Sequence, residues 1–291
     1  MPVELSGMKL GKLEPKIDPR TLRLMDVLKA LPTIPTSYDV DNQFSLKMPT
    51  GNIYSNSQYG DCVVAAQAHM TLRLEAFEQH KLVNITTKNV TDEYFKQTGG
   101  PDSGLYILNS LKCWRNDGWS IDETIPAATR THKRLGCWKK KPVPPPDPPA
   151  PVVKQHHSIA AFGAIDWKNY DDINACIYLL NGVDMGVALP NTAKTQEVWD
   201  VVGDPKKDKN SKPGSWGRHG IYVKAYHVDI PSHGMKGFVC VTWGYPKFMT
   251  ERFWDTYIDE SYGVVDKKNL FTPSSPVDEQ KLMEYLEALD N

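Results

Sequence analysis

The stretch "NSQYGDCVVAAQAH", residues 56–69, limits what this chain can fold into more than any other part of its sequence. A Gly-Asp-Cys turn runs directly into small apolar residues, and apolar residues recur at helical spacing from Cys62 to position 79. Gly60 permits the backbone geometry of a tight turn just before this helix. The pattern therefore predicts a buried helix that begins at Cys62.

A cysteine at the start of a helix can act as a nucleophile. Unpaired backbone N–H groups and the helix dipole favour the thiolate there and lower the thiol pKa. The alternative is a small apolar residue that simply follows a turn. A nucleophilic Cys62 would also need an imidazole from elsewhere in the chain and hydrogen-bond donors for an oxyanion.

Among the eight histidines, His219 is the best candidate for that imidazole. It follows the glycine-rich turn "GSWGRHG" and opens an apolar strand, so its side chain can project into a cleft while the strand stays buried. His69 lies on the Cys62 helix, roughly 10 Å further along, and cannot reach the thiol. His227 shares the predicted strand with His219 but lies at its far end.

The composition excludes several classes of partner. Apolar residues make up 40% and charged residues 24% of the 291 residues, which is ordinary for a soluble globular protein. The net charge of −1 gives no attraction to nucleic acid or to an anionic membrane, and we expect neither as a partner. No apolar run approaches the roughly 20 residues of a membrane span, and the N-terminus has no secretory h-region. We expect an intracellular protein, with a virion-associated one as the alternative.

Cysteine and histidine spacing argues against a disulfide framework and against a metal centre. Five cysteines at wide spacings include no Cys-x-x-Cys pair. A metal site at His156 and His157 is disfavoured because no further ligands have suitable spacing. We expect neither a metal nor a cofactor.

The order of the predicted elements favours an α+β fold. Helical patterns occupy about 31–140 and strand patterns about 152–270. Between them, the tract "PVPPPDPPAP" at 142–151 predicts a stiff exposed loop. We further expect a helix over 250–262 and a C-terminal helix within 271–291.

Residues 1–30 are predicted to be an N-terminal extension that carries one short helix. Asp18 can cap this helix, Pro19 suits its first turn, and apolar residues up to Lys29 fall near one face.

Six segments of residues 31–291, in order, resemble the papain-like cysteine peptidases. The second segment is similar to the nucleophile turn and central helix of this family, with a Gly-Asp-Cys closer to the calpain form. The fifth resembles the strand that carries the catalytic histidine, and the last resembles the strand that ends in Asn-Ser-Trp-Gly. The six segments are "LPTIPTSYDV", "NSQYGDCVVAA", "GLYILNSLKCWRNDGW", "DDINACIYLLNGVDMGVALP", "GRHGIYVKAYHVD" and "CVTWG".

The resemblance implies a two-lobed fold, with a helical lobe, an antiparallel β lobe and an active site between them. It implies that Cys62 is the nucleophile and His219 the general base and acid. It also implies a substrate cleft at Gly60, Asp61 and Trp243, where the indole can shield the site from water.

Two donors for the oxyanion follow from the resemblance. The glutamine of the family lies six residues before the cysteine, and here that position is Asn56, which still carries an amide N–H. Gln58 lies close by and is the substitute if the turn is rearranged. The backbone N–H of Cys62 would be the second donor.

The chain departs from the family where an asparagine normally orients the imidazole. Here that position is Val241, which cannot form a hydrogen bond, and strand alternation is expected to turn Thr242 to the opposite face. We therefore expect Val241 to lie beside His219 and the catalytic pair to be slow. Only about 30 residues precede the first of the six segments, so we also expect no long inhibitory domain.

Two functions stay open at this point. The first is a thiol hydrolase that cleaves peptide or amide bonds in a peptide or protein substrate, or that transfers the acyl group to an amine. The second is a catalytically silent papain-like module that binds a partner in a larger assembly, for example a viral one. Unusual reactivity of Cys62 would support the enzyme.

Overall fold

The computed structural model describes residues 5, 7–29, 33–80, 82–124, 152–231, 233–266 and 275–290. The proline tract at 142–151 lies outside these residues, so the predicted exposed loop stays a prediction.

Six α-helices occur in the described parts of the chain, and none of them is long and apolar enough to cross a membrane. The first helix begins at Cys62, as the sequence predicts. The helices are α1 (Cys62–Gln79), α2 (Thr87–Thr98), α3 (Ile107–Asn116), α4 (Tyr170–Leu180), α5 (Glu251–Tyr257) and α6 (Glu279–Asp290).

The strands form one seven-stranded sheet and one two-stranded sheet, and every strand pair is antiparallel. The strand order in the large sheet is β4-β9-β5-β6-β7-β8, with β1 also paired to β6. The small sheet consists of β2 and β3. The strands are β1 (Tyr38–Asp39), β2 (Trp119–Thr124), β3 (Val152–His157), β4 (Ile159–Ala164), β5 (Val183–Leu189), β6 (Gly217–Asp229), β7 (Lys236–Thr242), β8 (Tyr245–Thr250) and β9 (Ile258–Asp266).

The large sheet separates two apolar cores. Side chains of α1, α2 and α3 pack on one face of the sheet, where they meet Tyr222 and Val241. Side chains of α4 and α5 pack on the other face, with Ile221 and Cys240. Successive residues of β6 and β7 thus point into different cores. This is the predicted α+β fold, with a helical lobe against a β-rich lobe.

The predicted helix over Asp18 to Lys29 is wrong. This segment contains only a short 3₁₀ turn at Leu24–Val27. The Leu22 carbonyl accepts a hydrogen bond from the Ala164 N–H at the end of β4, so the backbone pairs with the sheet edge instead of with itself. The carboxylate of Asp18, expected to cap the helix, forms ion pairs with arginine and lysine side chains.

The predicted helix over residues 250–262 is correct only in its first half. α5 ends at Tyr257, and the chain continues directly into β9. β9 lies between β4 and β5 and is buried along most of its length. A strand with both faces covered shows no alternation of apolar and polar residues, so its pattern does not distinguish it from a helix.

Candidate active site

Cys62 is the first residue of α1, and its side chain is almost fully buried. Its Sγ accepts two backbone hydrogen bonds, from the N–H groups of Gly11 and Gly220, each at 3.4 Å. Burial raises the pKa of the Cys62 thiol to about 11, although the two N–H groups act in the opposite direction. In this conformation the thiol is therefore protonated at neutral pH.

His219 lies near the start of β6, directly before the glycine that contacts the thiol. Its ring stacks on the indole of Trp243, with a centroid distance of 4.4 Å and an interplanar angle of 19°. Nε2 lies 2.6 Å from the hydroxyl of Thr242, while Nδ1 is buried without a hydrogen-bond partner among the described residues. Burial lowers the pKa of His219 to about 3, so the imidazole is neutral at neutral pH.

The expected positions of Val241 and Thr242 are wrong. Val241 pairs with Tyr222 and packs into the core of the helical lobe, so its side chain does not face the imidazole. The next residue, Thr242, faces His219 and places its hydroxyl within hydrogen-bond distance of the imidazole. Strand alternation remains valid, but it applies in a register that puts His219 and Thr242 on the same face of the sheet.

The turn before Cys62 is held by a buried carboxylate. Asp61 is fully buried, and its oxygens accept hydrogen bonds from the Asn56 side-chain amide and from the Ser55 N–H. Burial raises the pKa of Asp61 to about 7. One amide hydrogen of Asn56 is thus engaged in the turn, and a role for the other at an oxyanion stays a prediction. Gln58 is exposed.

Replacing Asn56 with alanine should destabilise the protein. Asp61 would lose its side-chain donor and keep only backbone N–H groups, and a buried acceptor that loses a partner costs about 1 to 3 kcal/mol. The free energy of unfolding from urea titration should fall by that amount. Ser57→Ala, on an exposed residue of the same turn, should leave it unchanged. Equal effects of the two changes would show that the Asn56–Asp61 bond contributes no stability.

A segment of the N-terminal extension covers the thiol. Residues 8–14, which we call the cleft segment, run between the start of α1 and the start of β6. Their backbone is tied to both lobes by the hydrogen bonds Lys9 N–Asn56 O (2.7 Å), Gly11 N–Cys62 Sγ, Lys12 N–Arg218 O (3.3 Å), Leu13 N–Leu105 O (2.9 Å) and Leu105 N–Gly11 O (2.8 Å). At Gly60, one residue of the predicted cleft, the chain itself therefore lies against the site.

The close approach of the cleft segment depends on two glycines that face each other. A Cβ atom on Gly11 would overlap the carbonyl of Gly60, and a Cβ on Gly60 would lie 2.8 Å from the Gly11 Cα. The Gly60 N–H is fixed by the Asp102 carboxylate at 2.9 Å. Gly60 is thus required for contact with the segment, whereas its φ is not positive, so the turn itself does not depend on a glycine at this position.

Sequence reasoning missed the cleft segment and the contact between Thr242 and His219. The segment "MKLGKLE" has neither helical nor strand periodicity, and its partners lie between about 40 and 250 positions away along the chain. Only the register of β7 against β6 could have shown that Thr242 lies beside His219. No group of three or more potential metal ligands occurs within the described part of the chain.

Comparison with known proteins identifies the fold through solved structures and finds no match by sequence. No protein-family model matches this chain, and neither does any curated protein sequence. Several solved structures do match.

Xylellain, a cysteine protease from Xylella fastidiosa, is 14% identical at a TM-score of 0.59, covering 91% of this chain and 99% of that one. The proCathepsin B S9 of Trypanosoma congolense is 10% identical at a TM-score of 0.58, covering 90% and 88%. The cysteine protease CMS1MS2 of Carica candamarcensis, solved in complex with E-64, is 13% identical at 0.51, covering 80% and 99%. The chain therefore has the fold of the papain-like cysteine proteases.

Proposed function

We propose that this chain is a thiol hydrolase that cleaves peptide or amide bonds, with Cys62 as nucleophile and His219 as general base and acid. The observation that carries this proposal is the hydrogen bond between His219 Nε2 and Thr242 Oγ1. The ring stacks on the face of Trp243, and in the tautomer whose Nε2–H donates to Thr242, Nδ1 is the nitrogen that can accept a proton.

The reaction follows from these groups. Nδ1 of His219 takes the thiol proton, and the thiolate of Cys62 attacks the substrate carbonyl to form a C–S bond. The tetrahedral oxyanion collapses, the C–N bond breaks, and the imidazolium gives its proton to the leaving amine. Water, deprotonated by the same nitrogen, then cleaves the thioester and restores the thiol. With an amine in place of water, the same residues would perform acyl transfer.

The conformation described here is the closed form of this enzyme. The cleft segment occupies the space above Cys62, and both reacting groups are buried and uncharged. Departure of the segment would admit water and substrate to the thiol and remove much of the penalty on the thiolate. The contacts of this short segment suffice to cover the Cys62 thiol.

Hydrolysis that depends on Cys62 tests the proposal. The full chain and its Gly11→Val variant, in which the segment can no longer sit against Gly60, are assayed on a mixed library of fluorogenic peptides. We expect turnover in the variant and its loss on adding Cys62→Ala, whereas Cys113→Ala should leave it unchanged. Cys113 is a partly exposed thiol away from the site, which makes it the matched control.

The alternative of a silent binding module makes the opposite prediction. In that case no peptide is cleaved by either form, and an electrophile labels Cys62 no faster than Cys113. Turnover that survives Cys62→Ala would contradict both functions.

A further inference from the structure

The cleft segment places a lysine ammonium in a buried acidic pocket beside the candidate active site. The side chain of Lys12 is completely buried, and its Nζ lies 2.7 Å from Glu260 Oε1 and 3.0 Å from Asp259 Oδ1. The same ammonium donates a hydrogen bond to the Leu13 carbonyl at 3.1 Å. Both acidic residues belong to β9.

The pocket has space for a long basic side chain because its wall contains a glycine. A Cβ atom on Gly186, in β5, would overlap the Lys12 Cε and lie 2.5 Å from the Asp259 carboxylate. Asp184, two residues earlier on the same strand, is buried, and its Oδ1 has no hydrogen-bond partner among the described residues. Burial raises the pKa of Asp184 to about 8, and the positive charge of Lys12 opposes that rise.

The charges of the pocket balance only when a cation is bound. Asp259 has a second partner in Arg218. Glu260 is buried, accepts a hydrogen bond from the Tyr262 hydroxyl at 3.0 Å, and within the described residues pairs with no cation except Lys12. A buried carboxylate without a counterion is strongly unfavourable. When the cleft segment leaves, Glu260 loses this counterion, and a basic side chain of a bound substrate can take the place of Lys12.

The position of the pocket relative to the thiol defines which side chain can provide that replacement. Lys12 directly follows Gly11, the residue whose N–H contacts Cys62. In a peptide that took the place of the segment, the reacting residue would lie at Cys62. The side chain of the neighbouring residue would then reach Asp184, Asp259 and Glu260.

We propose that this pocket selects a lysine or arginine side chain of the substrate, one residue away from the residue held at Cys62. In the closed form Lys12 occupies the place of that side chain. The proposal rests on the hydrolase function proposed above, and it makes the substrates peptides with a basic residue at this position.

A measurement that needs no turnover tests the pocket first. In the full chain, Lys12→Leu should raise the alkylation rate of Cys62 about 30-fold or more, because loss of one partner of a buried charge pair releases the segment. Lys12→Arg should retain most of the protection. Lys9→Leu removes the same charge from an exposed position of the same segment and should leave the rate unchanged. Equal rates for Lys12→Leu and Lys9→Leu would overturn the proposal.

Added peptides then identify the ligand. The first peptide is Met-Lys-Leu-Gly-Lys-Leu-Glu, residues 8–14, and the second carries leucine in place of the second lysine. Both are added to the Lys12→Leu protein. The first should protect Cys62 from alkylation at a concentration at least tenfold lower than the second. Glu260→Gln should abolish this difference. Equal protection by the two peptides would overturn the proposal.

Hydrolysis separates the pocket from the catalytic function. Two fluorogenic peptides are compared, one with arginine and one with leucine next to the scissile residue. The arginine peptide should be cleaved with the higher kcat/KM. Glu260→Gln should reduce that ratio at least tenfold, mainly through KM. Lysine-specific protection of Cys62 without any hydrolysis would support the pocket and contradict the hydrolase. Hydrolysis that prefers the leucine peptide would support the hydrolase and contradict the pocket.

Discussion

Replacing Gly11 with valine is expected to raise the alkylation rate of Cys62 by about two to three orders of magnitude near pH 7.5. In the closed form the thiol is buried and its pKa is about 11. A solvated thiol titrates near pH 8.5, which increases the thiolate fraction at this pH about 300-fold. The valine side chain would overlap the Gly60 carbonyl, so the cleft segment cannot return to its place.

The sign of the pH dependence follows from the same pKa. Alkylation of the parent chain should keep rising with pH up to about 11, whereas alkylation of Gly11→Val should level off at a lower pH. The measurement is the rate of iodoacetamide incorporation at Cys62, mapped by mass spectrometry across this pH range. Gly7→Val is the matched control, because a Cβ on Gly7 meets nothing within 4 Å. Coinciding profiles for Gly11→Val and Gly7→Val would mean that the segment does not protect the thiol.

Replacing Thr242 with valine should lower kcat/KM by on the order of 10²- to 10⁴-fold in the Gly11→Val background. The change keeps the shape of the side chain and removes the hydroxyl that lies 2.6 Å from His219 Nε2. Without that bond the imidazole loses control of its tautomer and orientation, which is the role of the third residue in related triads. The measurement is initial-rate kinetics on the peptide that the parent variant cleaves best.

Two further variants test whether the hydroxyl itself is responsible. Thr242→Ser retains the hydroxyl and should keep most of the activity. Val241→Thr puts a hydroxyl on the neighbouring position, which faces the core of the helical lobe. This change should not raise kcat/KM. Equal activity of the valine and serine variants at Thr242 would show that another group orients His219.

Much of this fold was accessible from the sequence, because its signals are local. The helix that begins at Cys62 follows from a turn and a run of small residues, and β6 follows from an apolar run after a glycine-rich turn. β9 was not accessible. It is buried between β4 and β5, and its partners start about 75 to 100 positions earlier in the chain, so only the completed sheet defines it as a strand.

The same difference between local and long-range signals applies to the residues of the candidate site. Cys62 and His219 stand at the starts of regular elements, where local patterns are informative. Thr242 depends on the register between β6 and β7, and a shift of one residue exchanges it with Val241. The meeting of Gly11 with Gly60, and of Lys12 with Glu260, is set by tertiary packing alone.

The two halves of the site are held in the fold with very different strength. β6, which carries His219, is hydrogen-bonded to β5 on one side and to β7 and β1 along parts of the other. The cleft segment is attached by a few separate backbone bonds. Amide protons such as that of Val223 should therefore exchange with solvent only when the whole molecule unfolds, whereas those of Lys9 and Leu13 exchange through local opening. One folded molecule would then expose and cover the Cys62 thiol many times during its lifetime, while the His219 imidazole stays in place throughout.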